Sequence, residues 1–190
     1  MRSSRQDMQK NREAIITAAA KLFRERGVDG VSVPAVMEAV GMTHGGFYKH
    51  FASKEELVPL AYAKAFEDIA GSLSNAVESG GPGKNGAWNA VLDTYLSPEH
   101  RDATGVGCPT AALLGDAARA EPDASARDAY VRGVEGMLTK LGGLDGKPAH
   151  DPENLVALST MVGALLLSRA TTGDLSDAFL SAAKVHLAKV

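Results

Sequence analysis

Apolar residues recur at intervals of three and four along most of the chain, the spacing that gathers them on one face of a helix. Ile15, Ala18, Ala19, Leu22 and Phe23 stripe a first helix predicted over residues 10–26, and Gly27 stops it. Met1 to Gln9 read as a polar, solvated arm; the alternative is that Arg2 and Arg5 reach a phosphate or a groove. Ser32 is a good N-cap, and Pro34 fits the first turn of a second helix. Val33, Val36, Met37 and Val40 share one face of it before Gly41 turns the chain. Thr43 is placed to cap a third helix, in which Phe47 and Phe51 stand one turn apart and face inward. His44, Gly46 and Lys49 then point elsewhere. Two short helices around a tight turn, the second presented outward, make a helix-turn-helix. Ser53 and Glu56 form a capping box for a long helix carrying Leu57, Leu60, Ala61, Ala65 and Ile69, long enough to join two domains.

Residues 78–86, ESGGPGKNG, read as a loop without helical character. Trp88, Val91, Leu92 and Tyr95 mark an amphipathic stretch that Ser97-Pro98 ends, and a polar segment runs on to Gly107. A helix opens at Pro109 and stops before Pro122. Residues 124–141 carry Ala129, Tyr130, Val134, Met137, Leu138 and Leu141 at helical spacing, and Gly142-Gly143 with the GKPAHDP stretch predict a second loop. Two helices, over residues 153–172 and 174–190, close the chain, so the fold class is all-α. In the first of these, Leu155, Leu158, Val162, Leu165 and Leu166 form one stripe, while Val156, Met161, Ala164 and Leu167 are apolar on other sides. Leu175, Ala178, Phe179, Ala182 and Val185 mark the inner face of the second. A pair this apolar needs a cover, supplied by a second copy in a four-helix bundle or by other helices of the same chain.

The net charge of −3 hides an asymmetry. Residues 1–60 hold nine Lys/Arg and seven Asp/Glu, a balance of +2, whereas residues 61–190 hold eleven and sixteen, a balance of −5. The first 26 residues carry seven basic and three acidic groups, so positive charge lies where phosphates would be met. No apolar run suits a signal peptide or a bilayer span, and the single cysteine rules out an intrachain disulfide framework, which together predict a cytoplasmic protein. The histidines, at 44, 50, 100, 150 and 186, lack metal-ligand spacing. Gly83-Lys84 fails as a phosphate loop, because Glu78 stands where its first glycine belongs and Asn85 where a hydroxyl is needed. Gly105-Val106-Gly107 lacks a preceding strand and a third glycine, and no nucleophile elbow frames the serines. These readings predict a protein that is not an enzyme and needs no cofactor or metal.

AVGMTHGGFYKHFASKEEL, Ala39 to Leu57, with AIITAAAKLFRERGVDGVSV before it, resembles the TetR-type transcriptional regulators. Thr43 matches the family's small capping hydroxyl, and Gly45, Phe47-Tyr48, His50-Phe51 and Lys54-Glu55 follow its pattern. The likeness is specific over about the first third of the chain and looser beyond residue 60. One departure is Gly46 beside Gly45. Two glycines in a recognition helix, each costing about 1 kcal/mol against alanine, predict a helix that orders fully only on DNA.

The resemblance implies a DNA-binding domain over residues 1–56 and a helical ligand-binding and dimerisation domain over residues 57–190. It implies a homodimer on a near-palindromic double-stranded DNA operator, acting as a repressor released by a small-molecule inducer. The implied contact set is Ser32, Thr43, His44, Gly45, Gly46, Tyr48, Lys49, His50 and Lys54. Thr43, Tyr48 and Lys54 would meet phosphates, and His44, Gly46 and Lys49 occupy the variable positions that read bases. The candidate dimer interface is Leu158, Val162, Leu165, Phe179 and Ala182, and the candidate ligand or sensing residues are Trp88, Tyr95, Cys108 and Met137. Cys108 carries two readings. Its GVGCPTAALLGDAARA context resembles a branch of TetR-like regulators, some of which respond to oxidants or electrophiles. Pro109 suits a first helical residue, which puts Cys108 at the N-cap, where a thiolate is favoured. Otherwise Cys108 is a small buried hydrophobe. Two further functions stay open: a helical enzyme with a pocket near Trp88, Tyr95 and Cys108, and a protein-binding adaptor whose head has lost DNA affinity.

Overall fold

Helix α1 (Arg5–Arg26) begins earlier than its apolar stripe predicts. Asp7 lies in the first turn, where a carboxylate complements the positive end of the helix, and Gln9 donates to Glu13 one turn on at 2.8 Å. Arg5 to Gln9 are therefore helix and not a loose arm. The computed structural model describes residues 5–79, 84–122 and 124–189; Met1 to Ser4, Arg2 included, lie outside them. Among the described residues the fold is all-helical.

Helix α2 (Val33–Ala39) follows, with the Ser32 hydroxyl accepting the Ala35 N–H at 3.3 Å. Gly41 turns the chain at φ +67°, a conformation in which any side chain would be strained. The expected third helix is instead a 3₁₀ segment, His44–Lys49. Thr43 has the extended backbone of an N-cap but makes no side-chain capping bond. With two glycines and an unfilled cap, the short segment tightens to the i→i+3 pattern. Helix α3 (Lys54–Ser79) opens with a shifted cap, in which Glu56 accepts the N–H of Ala52, not of Ser53, at 2.7 Å. The division expected between residues 56 and 57 falls inside its first turn.

The loop expected at residues 78–86 is shorter than its composition suggests. Helix α3 continues through Ser79 and α4 (Lys84–Tyr95) starts at Lys84, so only the stretch 80–83, outside the described residues, lies between them. The polar segment after Tyr95 contains a short helix, α5 (Pro98–Asp102), capped by Ser97. The helix predicted from Pro109 is broken at Leu113 into α6 (Pro109–Ala112) and α7 (Leu114–Arg119). Gly142-Gly143 do not stop α8 (Ser125–Asp145); Gly146, at φ +72°, does. A Cβ on Gly142 would lie 2.5 Å from the Lys147 carbonyl, so the glycine serves the close return of the chain and not a helix break. Helices α9 (Pro152–Ala170) and α10 (Gly173–Leu187) complete the fold.

Packing gathers the buried apolar residues into one cluster from Ile15 to Leu187. Helix α3 is its spine: it packs on α1 at its start and on α4 and α8 further along, while α9 and α10 pair with each other. The head therefore shares its core with the rest of the chain.

Candidate functional site

In the helix-turn-helix, Phe47 and Phe51 are buried with ring centroids 5.3 Å apart, and the Arg12 guanidinium covers Phe51 at 4.7 Å. This anchorage turns the other side chains outward. Tyr48 is 62% exposed, with its ring edge-on to Phe47 at 5.4 Å and to His44 at 5.7 Å. Thr43, His44, Gly45 and Lys49 are exposed, as is Ser32, and Gly46 and His50 are partly so. Among the described residues, His44, Tyr48 and Lys49 have no side-chain hydrogen bond or ion pair. Burial, together with the charges of Arg12 and Lys49, holds the His50 imidazole below its ordinary pKa, so near neutral pH it is uncharged. Gly45 faces open space and Gly46 has only ordinary contacts with Met37 and Thr43, so nothing inside the chain demands glycine at either position.

Lys54 departs from its expected place. Its ammonium donates to the Val28 carbonyl at 2.5 Å and lies 5.9 Å from the Phe23 ring centre, tying α3 to the turn after α1. The other side of Val28 is held too: its N–H donates to Asp116 of α7 at 2.9 Å, and Arg119 steadies that carboxylate at 2.7 Å. Nearby, buried Arg24 reaches the Ala65 carbonyl and Asp68 of α3, each at 3.4 Å. Sequence reading passed over Asp116 and Arg24, because nothing local marks an aspartate that pairs 88 residues away.

The four candidate ligand residues do not converge on one pocket. Tyr95, Cys108 and Met137 are packed in the core, whereas Trp88 lines a separate cleft. Around Cys108 the polar groups are closely paired. Its N–H donates to His100 Nε2 at 2.9 Å, and His100 Nδ1 meets the Tyr95 carbonyl at 2.6 Å. These two bonds require a neutral imidazole carrying its proton on Nδ1. Burial lowers the His100 pKa, the Tyr95 carbonyl opposes that, and Arg169 adds to the lowering. Arg169 donates to the carbonyls of Arg101 and His100 at 2.9 and 3.0 Å, and the Tyr130 hydroxyl donates to the Thr110 carbonyl at 2.8 Å. Among the described residues the Thr110 hydroxyl is buried without a hydrogen-bond partner, and the Tyr95 hydroxyl is buried beside the Cys108 thiol.

The α9 residues expected at a dimer interface occupy another place. Leu158, Val162 and Leu165 are buried in the chain's own core, Phe179 is half-buried, and Ala182 is exposed. On α10 the stripe expected to face inward faces outward: Leu175, Ala178, Ala182 and Val185 are exposed, and so are Leu155, Val156 and Leu167 of α9. The reason is Ser176, Leu180, Ala183 and Leu187, which take the inner face of α10.

No helix among the described residues is long and apolar enough to cross a membrane, and no His, Cys, Asp and Glu cluster there could hold a metal ion. The family model for bacterial regulatory proteins of the tetR family matches residues 15–60. The chain is 28% identical over 176 residues to an HTH-type transcriptional regulator of Mycobacterium tuberculosis, covering 85% of this chain and 86% of that one. It is 35% identical over 69 residues to the HTH-type transcriptional repressor KstR2 of Rhodococcus jostii, 36% of this chain and 34% of that one. Among solved structures, a TetR transcriptional regulator from Chloroflexus aurantiacus superposes with a TM-score of 0.80 at 24% identity, covering 97% and 95% of the two chains. The reduced form of E. coli NemR superposes with a TM-score of 0.76 at 19% identity, covering 95% and 96%. These two likenesses concern the fold.

Proposed function

Since the chain belongs to the TetR family of bacterial transcriptional regulators, we propose that it is a cytoplasmic, ligand-responsive repressor that holds a near-palindromic operator as a homodimer. The observation that carries the DNA contact is the outward edge of the recognition segment. His44, Tyr48 and Lys49 stand exposed without hydrogen-bond partners among the described residues, on a base fixed by Phe47 and Phe51. Lys49 and His44 face base edges, and Tyr48 and Thr43 meet phosphates. Lys54 serves by orienting the head through Val28.

The exposed apolar stripe on α9 and α10 supports self-association. Leu155, Val156, Leu167, Leu175 and Val185 are large apolar side chains left in water by a single chain, and a second copy would cover them as a four-helix bundle. Paired heads would then reach successive major grooves, about 34 Å apart. For release, the path runs through α6 and α7. A ligand that shifts them moves Asp116, and with it the Val28 N–H at the base of the head. Selection of bound duplexes from a random pool, followed by titration of the enriched sequence, tests the proposal. It predicts an inverted repeat, with His44→Ala and Lys49→Ala altering which bases are preferred.

A second reading of release rests on Cys108, the chain's single cysteine, at the N-cap of α6. The thiol is fully buried, so an oxidant or electrophile would reach it only when α6 opens, and the small-molecule reading stands first. With no second cysteine in the chain, reversible oxidation would need a small thiol, a sulfenamide or Cys108 of a partner. Cys108→Ser that keeps full release by every electrophile tried would leave the packing role alone.

A further inference from the structure

We infer that the cleft enclosed by α4, the end of α8, the start of α9 and the end of α10 binds an apolar aromatic molecule of two fused rings. That such a molecule acts as an inducer rests on the regulatory reading above; the binding itself does not. Buried Leu141, Ala157 and Leu187 form the deep side of the cleft, and half-buried Trp88 and Leu144 flank it. It opens to solvent beside exposed Val156 and His186. Tyr95, Cys108 and Met137 are not among its walls, so it is separate from the packed surroundings of the cysteine.

The walls decide the chemistry. The Trp88 indole N–H donates at 2.9 Å to the Leu187 carbonyl, one of the last carbonyls of α10, which lie beyond the reach of the helix's own N–H groups. That bond fixes the ring and leaves its carbon faces for an occupant, and aromatic rings favour offset or edge-on contact with such a face. The polar groups at the edge are turned to their own neighbours. The Asn154 amide donates to the Pro148 carbonyl at 2.9 Å, and the Lys147 ammonium is bound to Asp145 at 2.8 Å and to Glu153. What the cleft offers is mainly carbon surface, so burial of apolar area supplies the affinity.

Size sets the number of rings. The cleft measures about 230 Å³. An apolar protein cavity of about 150 Å³ takes benzene, which is about 25 Å³ per ring atom. At that packing this cleft takes about nine ring atoms, the size of two fused rings, whereas three would need about 350 Å³.

Trp88 is the chain's single tryptophan, so its indole N–H gives one signal in an NMR spectrum of the nitrogen-labelled protein and reports the cleft directly. Full-length protein is titrated at slightly alkaline pH with pyridine, quinoline and acridine, uncharged flat molecules of one, two and three rings. The expected result is a saturable shift with quinoline, at least about ten-fold tighter than with pyridine. Quinoline also binds more tightly than acridine, even though acridine is the more apolar. Leu144→Ala enlarges the cleft and improves acridine relative to quinoline about three-fold or more. Ala157→Phe fills the cleft and removes the response, with circular dichroism confirming helix content; should it misfold, Leu144→Ala and the size series decide. Acridine binding more tightly than quinoline, or pyridine as tightly, overturns the size assignment. Absence of a saturable response to all three, or an unchanged preference in Leu144→Ala, overturns the site. DNA binding followed with quinoline separates the two claims: saturable binding without loss of DNA affinity upholds the site and refutes its regulatory role.

Discussion

The recognition segment and the surroundings of Cys108 are built on opposite principles. In the head, two buried rings hold a turn whose polar side chains point out, with no bonds to their own chain. Around Cys108, the imidazole, the Tyr130 hydroxyl and the Arg169 guanidinium are bonded to backbone groups inside the fold. The first arrangement suits a partner that arrives from outside and satisfies those groups. The second suits transmission of position, because moving one member strains the others. Between the two lies Val28, held by Lys54 at its carbonyl and by Asp116 at its N–H.

The largest effect should come from confusing the inner and outer faces of the last two helices. Leu165→Glu places a charge where the native side chain is 0% exposed, costing about 4 kcal/mol or more, and should unfold the chain as seen by circular dichroism. Val185→Glu, on the exposed stripe, should leave the fold within about 0.5 kcal/mol of the native stability yet give monomers on sedimentation. Persistence of a dimer in Val185→Glu would remove that stripe from the interface.

Next come substitutions in the head. Tyr48→Ala and Lys49→Ala should each weaken DNA binding by about 1–2 kcal/mol without lowering the melting temperature. Lys54→Ala should do the reverse at first order, lowering stability by about 1–2 kcal/mol because the Val28 carbonyl loses its donor. Melting curves and binding isotherms on the same samples separate the two classes; an unchanged melting curve for Lys54→Ala would return that lysine to the phosphate-contact set.

Acid should act on the Cys108 surroundings. The His100 pKa is lowered in the fold, so the unfolded chain takes up its proton first. Stability from this group is complete above the unfolded value near 6.5 and is lost as pH falls through that value toward the folded one. Unfolding free energy should drop by up to about 1.4 kcal/mol per pH unit there, and His100→Gln should flatten that part of the profile. A profile as steep in the variant as in the native protein would assign the effect elsewhere, His50 being the first candidate.

The smallest predicted effect is a gain. Gly45→Ala meets no neighbour within 4 Å at a backbone without positive φ, and should stabilise the head by about 0.5–1 kcal/mol. If DNA approaches this backbone closely, the same methyl weakens operator binding. Equal DNA affinity with and without it would show that the glycine is not a contact.

Much of this organisation was legible in the chain. Ser32, Pro34 and Gly41 carry local stop and start signals, and Phe47 and Phe51 announce their burial by spacing, so the helix-turn-helix could be placed, although its second helix is a 3₁₀ segment and Thr43 makes no capping bond. What failed had causes beyond local chemistry. Gly142 looked like a breaker because its contact with the returning chain at Lys147 is invisible in one dimension. On α10 two apolar stripes compete, and Leu180, Ala183 and Leu187 lie inward at the register where Ser176 bonds to Ser168 of α9. Lys54 matched the family pattern, yet its ammonium found a carbonyl 26 residues earlier in the chain. Pockets are harder still, since Trp88 and Cys108 are both apolar-context residues whose separation depends on how distant helices pack.

In the function proposed above, two copies of this chain read a symmetric DNA site through the edge formed by His44, Tyr48 and Lys49. The most direct measurement is sedimentation of the protein with a duplex enriched from a random pool, compared with the triple variant His44→Ala, Tyr48→Ala, Lys49→Ala. Two chains per duplex on an inverted repeat are expected, with the half-sites one helical turn apart, and loss of the complex in the variant at unchanged stability. Failure to enrich any sequence, or a complex of one chain per duplex that survives the triple substitution, would contradict it.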